Sequence, residues 1–459
     1  MNSHVLRRTF AIAAIAAVAV VAGCGTSTDT GEAANNSAAD SGSSSSAEAG
    51  DSSSSAESSS AEASSEAPAD SGEKITLTVA TFNDFGYTDD LLAGFTAAHP
   101  NITVVHNKAA TSNDARANYF QKLGKKGLAD VEAIEIDWLP EVMQYSDLLA
   151  EVPADLKSRW LDWKVQDATD KDGRLIGYGT DVGPEAICYR SDLFAAAGLP
   201  TDRADVAKLL DGDWANYFSV GQKYVDATGK AWFDSAGGTY QGMINQVAAA
   251  YEDPSSGAIV ATDNADVKKI YDQILAASAK QSAHLGQWSD DWSAGMQNGA
   301  YATMLCPAWM QGVISGNAKD VTGWDIANVF PGGGGNWGGS YLTVPANGAH
   351  VEAAQELASW LTDPAQQIKA FANAGTFPSQ VDALKDATLL DATNEFFNNA
   401  PVGQIFSDRA AAVTVSPFKG EHYFQVNDAM QQALTRVEDG TQSADESWNQ
   451  WVSEVKAIG

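Results

Sequence analysis

The sequence predicts an α/β fold, and two observations carry that prediction. Segments with an apolar residue at every second position alternate with amphipathic segments of helical period, which is typical of βαβ units and a largely parallel sheet covered by helices. About 385 residues follow Glu73, which is enough for two lobes of ordinary size.

The element order begins with a strand over 75–82, where ITLTVATF alternates in period two, and a helix over 89–100. Next come a predicted strand over 102–107 and a helix over 113–127. A third strand over 131–137 and a helix from 138 onward follow. Strands are then predicted over 186–190, 301–309, 324–330 and 340–346, and helices over 191–200, 213–229, 264–280, 351–363, 364–375, 424–440 and 444–459.

The N-terminus has the pattern of an export signal. An apolar run of about a dozen residues follows Arg7 and Arg8, and it is too short to span a bilayer. Its end, VAGC at 21–24, resembles the lipobox of bacterial lipoproteins, in which the signal peptide (1–23) is removed and the cysteine is lipidated. That resemblance implies anchoring through Cys24. An ordinary signal peptide with an incidental cysteine is the alternative, and the export route, Sec or twin-arginine, stays open.

Residues 24–73 form a predicted tether. Beyond Cys24 they are mostly Ser, Ala, Gly, Thr, Asp and Glu, with no aromatic residue and no long aliphatic one before Glu73. Such a chain cannot bury enough apolar surface to become ordered, and its acids, with no Lys or Arg among them, extend it. We therefore expect the remaining chain to work at the extracellular face of the cell membrane.

Charge and motifs exclude several functions. The formal net charge of −31 argues against nucleic acid and anionic lipid as partners, because both require Lys and Arg against phosphates. A formal GxGxxG match at 333–338 leads into a strand and not a helix, so it does not indicate a dinucleotide site. No phosphate-binding loop and no metal-spaced His/Cys cluster is visible, so the sequence predicts no cofactor and no metal.

Four segments carry a resemblance to a known family. They are the opening strand and helix with the Asn83-Asp84-Phe85 turn, GYGTDVGPEAICYRSDLFAAAGLP (177–200), MQNGAYATMLCPAWMQGVI (296–314), and GSYLTVPANGAHVEAAQELASWLTDPAQQIKAFANAGTFPSQ (339–380). In this order, behind a lipobox and a tether, they resemble the extracellular solute-binding proteins of carbohydrate ABC importers, the family that contains maltose-binding protein.

The resemblance implies a periplasmic-binding-protein-like, Venus-flytrap fold with hinge strands and an interlobe ligand cleft. The family pattern places one lobe at 74–184 plus 340–385 and the other at 185–339 plus 386–459. It implies a monomeric protein, anchored through the lipobox cysteine, that captures a short oligosaccharide and delivers it to ABC permease subunits without catalysis. The number of aromatic candidates favours a di- to tetrasaccharide. The alternatives are a non-sugar solute such as a peptide in the same fold, a secreted glycoside hydrolase, and a surface adhesin.

Sugars offer apolar C–H faces and a rim of hydroxyl groups, so their sites combine aromatic side chains with hydrogen-bonding groups. Aromatic residues near strand ends or in loops, together with polar neighbours, are therefore the predicted ligand residues. They are Asn83, Phe85, Asp137, Trp138, Asp181, Trp288, Trp292, Trp309, Trp337 and Tyr341.

Trp309 is the first choice among these residues, because it follows a predicted strand and Pro307, and the family's matching Pro-Trp segment places its tryptophan against sugar. A core tryptophan is the alternative. Trp337, among glycines, lies either in the cleft or in a surface loop. Asp137 and Asp181 are either sugar ligands or a helix cap and a hinge hydrogen bond.

Two cysteines remain after Cys24. Cys188 and Cys306 lie on predicted strands that share one sheet in the family, so the resemblance implies a disulfide between them. Two buried free thiols are the alternative.

Overall fold

The computed structural model describes residues 72–459. The predicted signal peptide, Cys24 and the tether up to residue 71 lie outside the described residues. Within the described part, no helix is long and apolar enough to cross a membrane.

The described chain contains ten strands and seventeen α-helices. The strands are β1 (Ile75–Phe82), β2 (Ile102–Ala109), β3 (Val131–Glu135), β4 (Tyr178–Gly179), β5 (Asp181–Val182), β6 (Glu185–Arg190), β7 (Thr303–Pro307), β8 (Trp324–Ala327), β9 (Ser340–Thr343) and β10 (Phe377–Pro378). The helices are α1 (Asp89–Ala98), α2 (Ser112–Lys122), α3 (Leu139–Met143), α4 (Asp162–Asp167), α5 (Ser191–Ala196), α6 (Arg203–Leu210), α7 (Trp214–Thr228), α8 (Ala236–Ile244), α9 (Ala265–Gln281), α10 (Asp290–Asn298), α11 (Met310–Asn317), α12 (Val351–Leu361), α13 (Pro364–Ala374), α14 (Ala387–Leu390), α15 (Val402–Ala411), α16 (Tyr423–Glu438) and α17 (Ala444–Val455).

Five strands form the first sheet in the order β2-β1-β3-β9-β4. Strand β1 pairs in parallel with β2 and β3, whereas β9 is antiparallel to both β3 and β4. The expected parallel sheet is therefore limited to the first three strands. Strand β9 differs because it returns from a distant part of the chain and is not the next strand of a βαβ unit.

The second sheet contains no parallel pair, contrary to the predicted parallel sheet. Its three strands have the order β7-β6-β8, and the central strand β6 is antiparallel to both of its neighbours. Strand β6 is buried along its whole length, with Ile187 and Tyr189 facing one apolar core and Ala186 and Cys188 facing another. A strand buried on both faces reads as a continuous apolar run, so its sequence does not reveal the direction of its neighbours.

Three apolar cores follow from these sheets. The first core surrounds the five-stranded sheet and includes Leu77, Val79 and Leu357. The second and third cores cover the two faces of the three-stranded sheet. The short pair β5–β10 lies where the chain leaves the first sheet for the second, with Val182 opposite Phe377. The predicted lobe boundaries remain a prediction.

Most predicted elements are present, and the differences have local causes. Helix α2 ends at Lys122 and not at Gly127, and Gly124 and Gly127 beyond it have positive φ, which glycine adopts without strain. Helices α4, α6, α8, α10, α11, α14 and α15 lie where the sequence predicts no element. Several of the predicted helices begin at caps readable from sequence, such as Thr88 before α1, whose hydroxyl accepts from the Leu91 N–H.

Candidate functional site

A cavity of about 1040 Å³ lies between the first-sheet side of the molecule and the 413–421 segment, which joins α15 to α16. Its volume is at the upper end of the range of small-molecule sites. The residues around it come from distant parts of the chain. They are Ile136, Leu139, Pro140, Met143, Gln144, Ser146, Asp147, Leu161, Trp163, Gln166, Asp167, Thr169, Asp170, Lys171, Asp172, Arg174, Val182, Pro184, Asn336, Ala410, Val413, Thr414, Val415, Ser416, Pro417, Phe418, Lys419, Gly420 and Glu421.

The lining combines aromatic rings with hydrogen-bonding side chains. Trp163, half-buried on α4, and Phe418, half-buried in the 413–421 segment, are its two aromatic residues. Carboxylates, amides and hydroxyls make up much of the remainder, including Asp147, Gln166 and Asn336. This composition suits a ligand with apolar faces and many hydroxyl groups.

A buried ion pair lies at this cavity. The Lys419 ammonium donates to Asp137 Oδ1, and both side chains are almost fully buried. Asp137 follows β3, and its backbone N–H donates to Glu135 Oε2 over 3.2 Å. Burial raises the pKa of the Glu135 carboxyl well above its usual range, and the neighbouring Asp137 raises it further, while Lys419 opposes the rise.

A second buried cation, Lys164, follows the cavity-lining Trp163 on α4. Its ammonium donates to the Ser340 carbonyl oxygen over 2.8 Å and is 3.6 Å from the centre of the Tyr341 ring. Burial lowers the pKa of Lys164 to about 8, and the nearby Asp181 carboxylate opposes that fall. Burial in turn raises the pKa of Asp181, although its Oδ1 accepts from the Thr180 hydroxyl and the Ser340 N–H.

Glu185, the first residue of β6, is fully buried. Neither of its carboxylate oxygens accepts a hydrogen bond from any residue in the described part of the chain. Burial raises its pKa well above the usual range, and Lys419 is the cation that counteracts this. An unpartnered buried carboxyl is costly unless it is protonated or meets a ligand.

Four tryptophans cluster near the end of β7. The Trp288 and Trp309 rings are stacked with centroids 6.0 Å apart, and Trp337 packs edge-on to Trp309 at 5.6 Å. The Trp309 indole N–H donates to the Trp337 carbonyl over 2.9 Å. Trp288 has φ of 72°, a strained conformation for a bulky residue, and is 39% exposed. Trp292, the fourth, packs against Trp288.

Cys188 and Cys306 form a disulfide between β6 and β7, with Cα atoms 5.3 Å apart. Both are fully buried. Among residues 72–459, no group of three or more His, Cys, Asp or Glu side chains is placed to hold a metal ion.

Comparison with known proteins decides the family. The family model of bacterial extracellular solute-binding proteins matches residues 90–397. A crystal structure of an extracellular solute-binding protein of family 1 is 46% identical, with a TM-score of 0.73 over 83% of this chain and 99% of that chain. The chain belongs to the extracellular solute-binding protein family. The predicted two-lobed α/β fold is thereby confirmed.

Two further relatives bear on this solute-binding protein. The arabinooligosaccharide-binding protein of Bacillus subtilis (strain 168) is 26% identical over 249 residues, which are 50% of this chain and 55% of that protein. The chain thus matches about half the length of that relative. The ABC transporter associated binding protein from B. animalis subsp. lactis Bl-04, in complex with β-1,6-galactobiose, is 19% identical with a TM-score of 0.70, covering 83% and 96% of the two chains, and shares the fold.

The structure places none of the ten predicted ligand residues of this solute-binding protein in the wall of the large cavity. Trp138, Trp292 and Tyr341 are corrections, because each ring is fully buried. The Trp138 indole N–H donates to Ser112 Oγ, and that of Trp292 to Asp234 Oδ2. Packing inside a core leaves these rings no free face for a sugar.

The other predicted residues do not line the cavity either. Phe85 and Asp181 border a separate void of about 10 Å³, too small for a sugar, and the half-buried Asn83 lies in the same turn as Phe85 with φ of 48°. Asp137 reaches the cavity through its partner Lys419. The ligand roles of these residues, and of the three remaining tryptophans, stay predictions.

Sequence reasoning missed Trp163, Lys164, Phe418, Lys419 and Glu185. Trp163 and Lys164 lie on the six-residue helix α4, too short to give a periodic signal. The 413–421 segment has no regular pattern, but its Pro-Phe-Lys-Gly run was a usable signal, since it offers a ring and a cation at a turn. Glu185 is an acid next to the apolar run Ala186–Tyr189 of a fully buried strand, which is a usable signal.

Proposed function

We propose that this solute-binding protein captures a short oligosaccharide, a di- to tetrasaccharide, in its interlobe cleft and delivers it to the permease subunits of an ABC importer. The observation that carries the proposal is the cavity of about 1040 Å³, which combines aromatic rings with hydrogen-bonding side chains. The partial match to an arabinooligosaccharide-binding protein supports a sugar as the solute. Lobes at 74–184 plus 340–385 and at 185–339 plus 386–459 belong to this proposal.

The proposal includes location and mechanism. The protein acts as a monomer at the extracellular face of the membrane, held by lipid on Cys24. Binding requires no chemistry, because a ligand that contacts both lobes binds the closed form better and so drives closure. The alternatives to this proposal are a peptide as the bound solute and glycoside hydrolysis as an activity of the protein.

The test is a panel of di- to pentameric oligosaccharides, with arabino-oligosaccharides and β-1,6-galactobiose included, measured by thermal shift and tryptophan fluorescence. A specific ligand raises the melting temperature, because it binds only the folded state. Chromatography of the same mixtures should show the sugar intact after prolonged incubation. If no sugar changes the melting temperature of the folded protein but a peptide does, the solute is not an oligosaccharide. If chromatography finds cleaved sugar, the protein is not solely a binding protein.

Trp163→Ala is expected to weaken the affinity for the panel's best ligand about tenfold, because it removes an aromatic face from the cavity wall. Trp163→Phe, which retains a ring, should recover most of that affinity. The matched control is Trp448→Ala on α17, a half-buried tryptophan outside the cavity lining. Isothermal titration calorimetry measures all three. Equal affinities for Trp163→Ala and the control would place the ligand elsewhere, and Trp288→Ala would then test the tryptophan cluster.

A further inference from the structure

The 413–421 segment belongs with the second lobe. The Phe418 N–H donates to the Ala248 carbonyl over 2.8 Å, and the His422 N–H donates to Glu252 Oε1 over 3.0 Å. Gly420 lies so close to Glu252 that a Cβ would be 2.5 Å from its carboxylate. Because Ala250 and Tyr251, next to these anchors, are in the second core, the segment must move with that lobe.

Lys419 reaches from this segment to the first lobe. Its ammonium pairs with Asp137, which follows β3 of the first sheet, and the exposed fractions of the two side chains are only 6% and 11%. The ammonium is also 4.9 Å from the centre of the Tyr423 ring on its own side. A pair that joins two lobes can be this buried only while the lobes are closed on each other.

A second contact lies beside the first and joins the same two lobes. Phe424, in the first turn of α16, packs against the first core, although Tyr423 and Val426 on that helix belong to the second. The Arg116 guanidinium of α2 is 4.2 Å from the centre of the Phe424 ring, and its Nε donates to Glu141 over 2.9 Å. Closure of the cleft therefore brings α2 and α16 together.

Lys419 also interacts with carboxyl groups other than that of Asp137. Glu135 and Asp137 come from the first lobe and Glu185 from the second, and Lys419 interacts electrostatically with all three. Without this cation the buried carboxyl groups would lose the nearby positive charge that counteracts the cost of burying them. The lysine thus offsets buried carboxyl charge from both lobes in addition to forming one ion pair.

We propose that Lys419 is an interlobe latch, which holds this protein closed through Asp137 even when no ligand is bound. The role is one of positioning, since Lys419 acts on the lobes whatever the solute. The latch sets the fraction of ligand-free protein that is already closed. The larger this fraction, the less the unfavourable free energy of closure lowers the observed ligand affinity. It does not rest on the ligand being a sugar.

The test measures the lobe separation of the ligand-free protein. Nitroxide labels on two exposed residues, Lys125→Cys just after α2 and Gln432→Cys in the second half of α16, report this separation by pulsed electron paramagnetic resonance in a Cys24→Ser background. The labelled protein that retains Lys419 and Asp137 should give mainly the short distance between the two labels, which corresponds to closed lobes. Lys419→Met should lower the ratio of closed to open protein about tenfold.

Companion variants separate the latch from general damage. Asp137→Asn should open the protein as well, and Lys419→Met/Asp137→Asn should be less open than the sum of the single effects, since the two residues act as one pair. Lys419→Arg keeps the charge and should remain closed. The matched control is Lys208→Met, which removes an exposed lysine paired with Asp205 on one helix, and it should leave the distances unchanged.

Two results would overturn the latch. One is a Lys419→Met protein, folded by circular dichroism, with the same distance distribution as the parent. The other is strictly additive opening by Lys419→Met and Asp137→Asn. Because every measurement is made without ligand, these outcomes are independent of whether the oligosaccharide panel succeeds.

Discussion

Reduction of the Cys188–Cys306 disulfide is expected to lower the free energy of unfolding by about 3–5 kcal/mol. The bond joins two residues that are 118 positions apart in the chain. A crosslink that closes so long a loop restricts the unfolded ensemble strongly, and cleavage restores that lost conformational entropy. The effect is large because both sulfurs lie in the core of the second sheet, where they hold neighbouring strands β6 and β7.

Urea unfolding of the wild type with and without reductant measures this difference on identical side chains. Cys188→Ala/Cys306→Ala is the control, because its unfolding midpoint should not respond to reductant. Peptide mapping of unreduced protein should find the two cysteines in one linked pair of peptides. Separate peptides with free thiols, together with a midpoint that ignores reductant, would favour two buried thiols.

Lys164→Met is expected to lower the free energy of unfolding by about 3 kcal/mol at pH 7.5. Lys164 is 1% exposed, donates to the Ser340 carbonyl oxygen and lies near the buried Asp181. Methionine fills a similar space but leaves the carbonyl without this donor and the carboxyl without its cation. Removing one partner of a buried charged group is costly for this reason.

The loss should depend on pH with a defined sign. Burial already raises the pKa of Asp181 in the folded state, and removal of the Lys164 charge raises it further. The folded variant then binds more protons than the unfolded chain above a pH of about 4, so its stability relative to wild type falls as the pH rises towards neutrality. Thermal unfolding from pH 4 to pH 8 measures the trend.

Controls distinguish the buried charge from a general effect of losing lysine. Lys385→Met removes a lysine that is 73% exposed and pairs with Asp382, and it should change stability by less than about 0.5 kcal/mol. Lys164→Met/Asp181→Asn should abolish most of the pH dependence. A pH-independent loss in Lys164→Met would mean that packing, and not charge, is what the lysine supplies.

Local chemistry explains which elements could be read from the sequence. Strand β1 has its predicted bounds because its period-two pattern reports one buried face, and helices α7 and α17 have long amphipathic repeats with polar caps. Helix α10 was missed, so Trp292 was expected in a loop, whereas the helix turns its ring into the core. Short helices give too few turns for a periodic signal.

Local sequence patterns were sufficient to predict the α/β class, the order of most elements and, through four segments, the family. These features depend on residues that are close together in the sequence, so periodicity and capping residues reveal them directly. The tertiary structure was needed to show that β9 and the second sheet are antiparallel, and that Trp138 and Tyr341 lie in a core. It also decided that Lys419 meets Asp137, 282 positions away. Such contacts depend on how distant segments pack, and no local pattern encodes which of many similar carboxylates a lysine will reach.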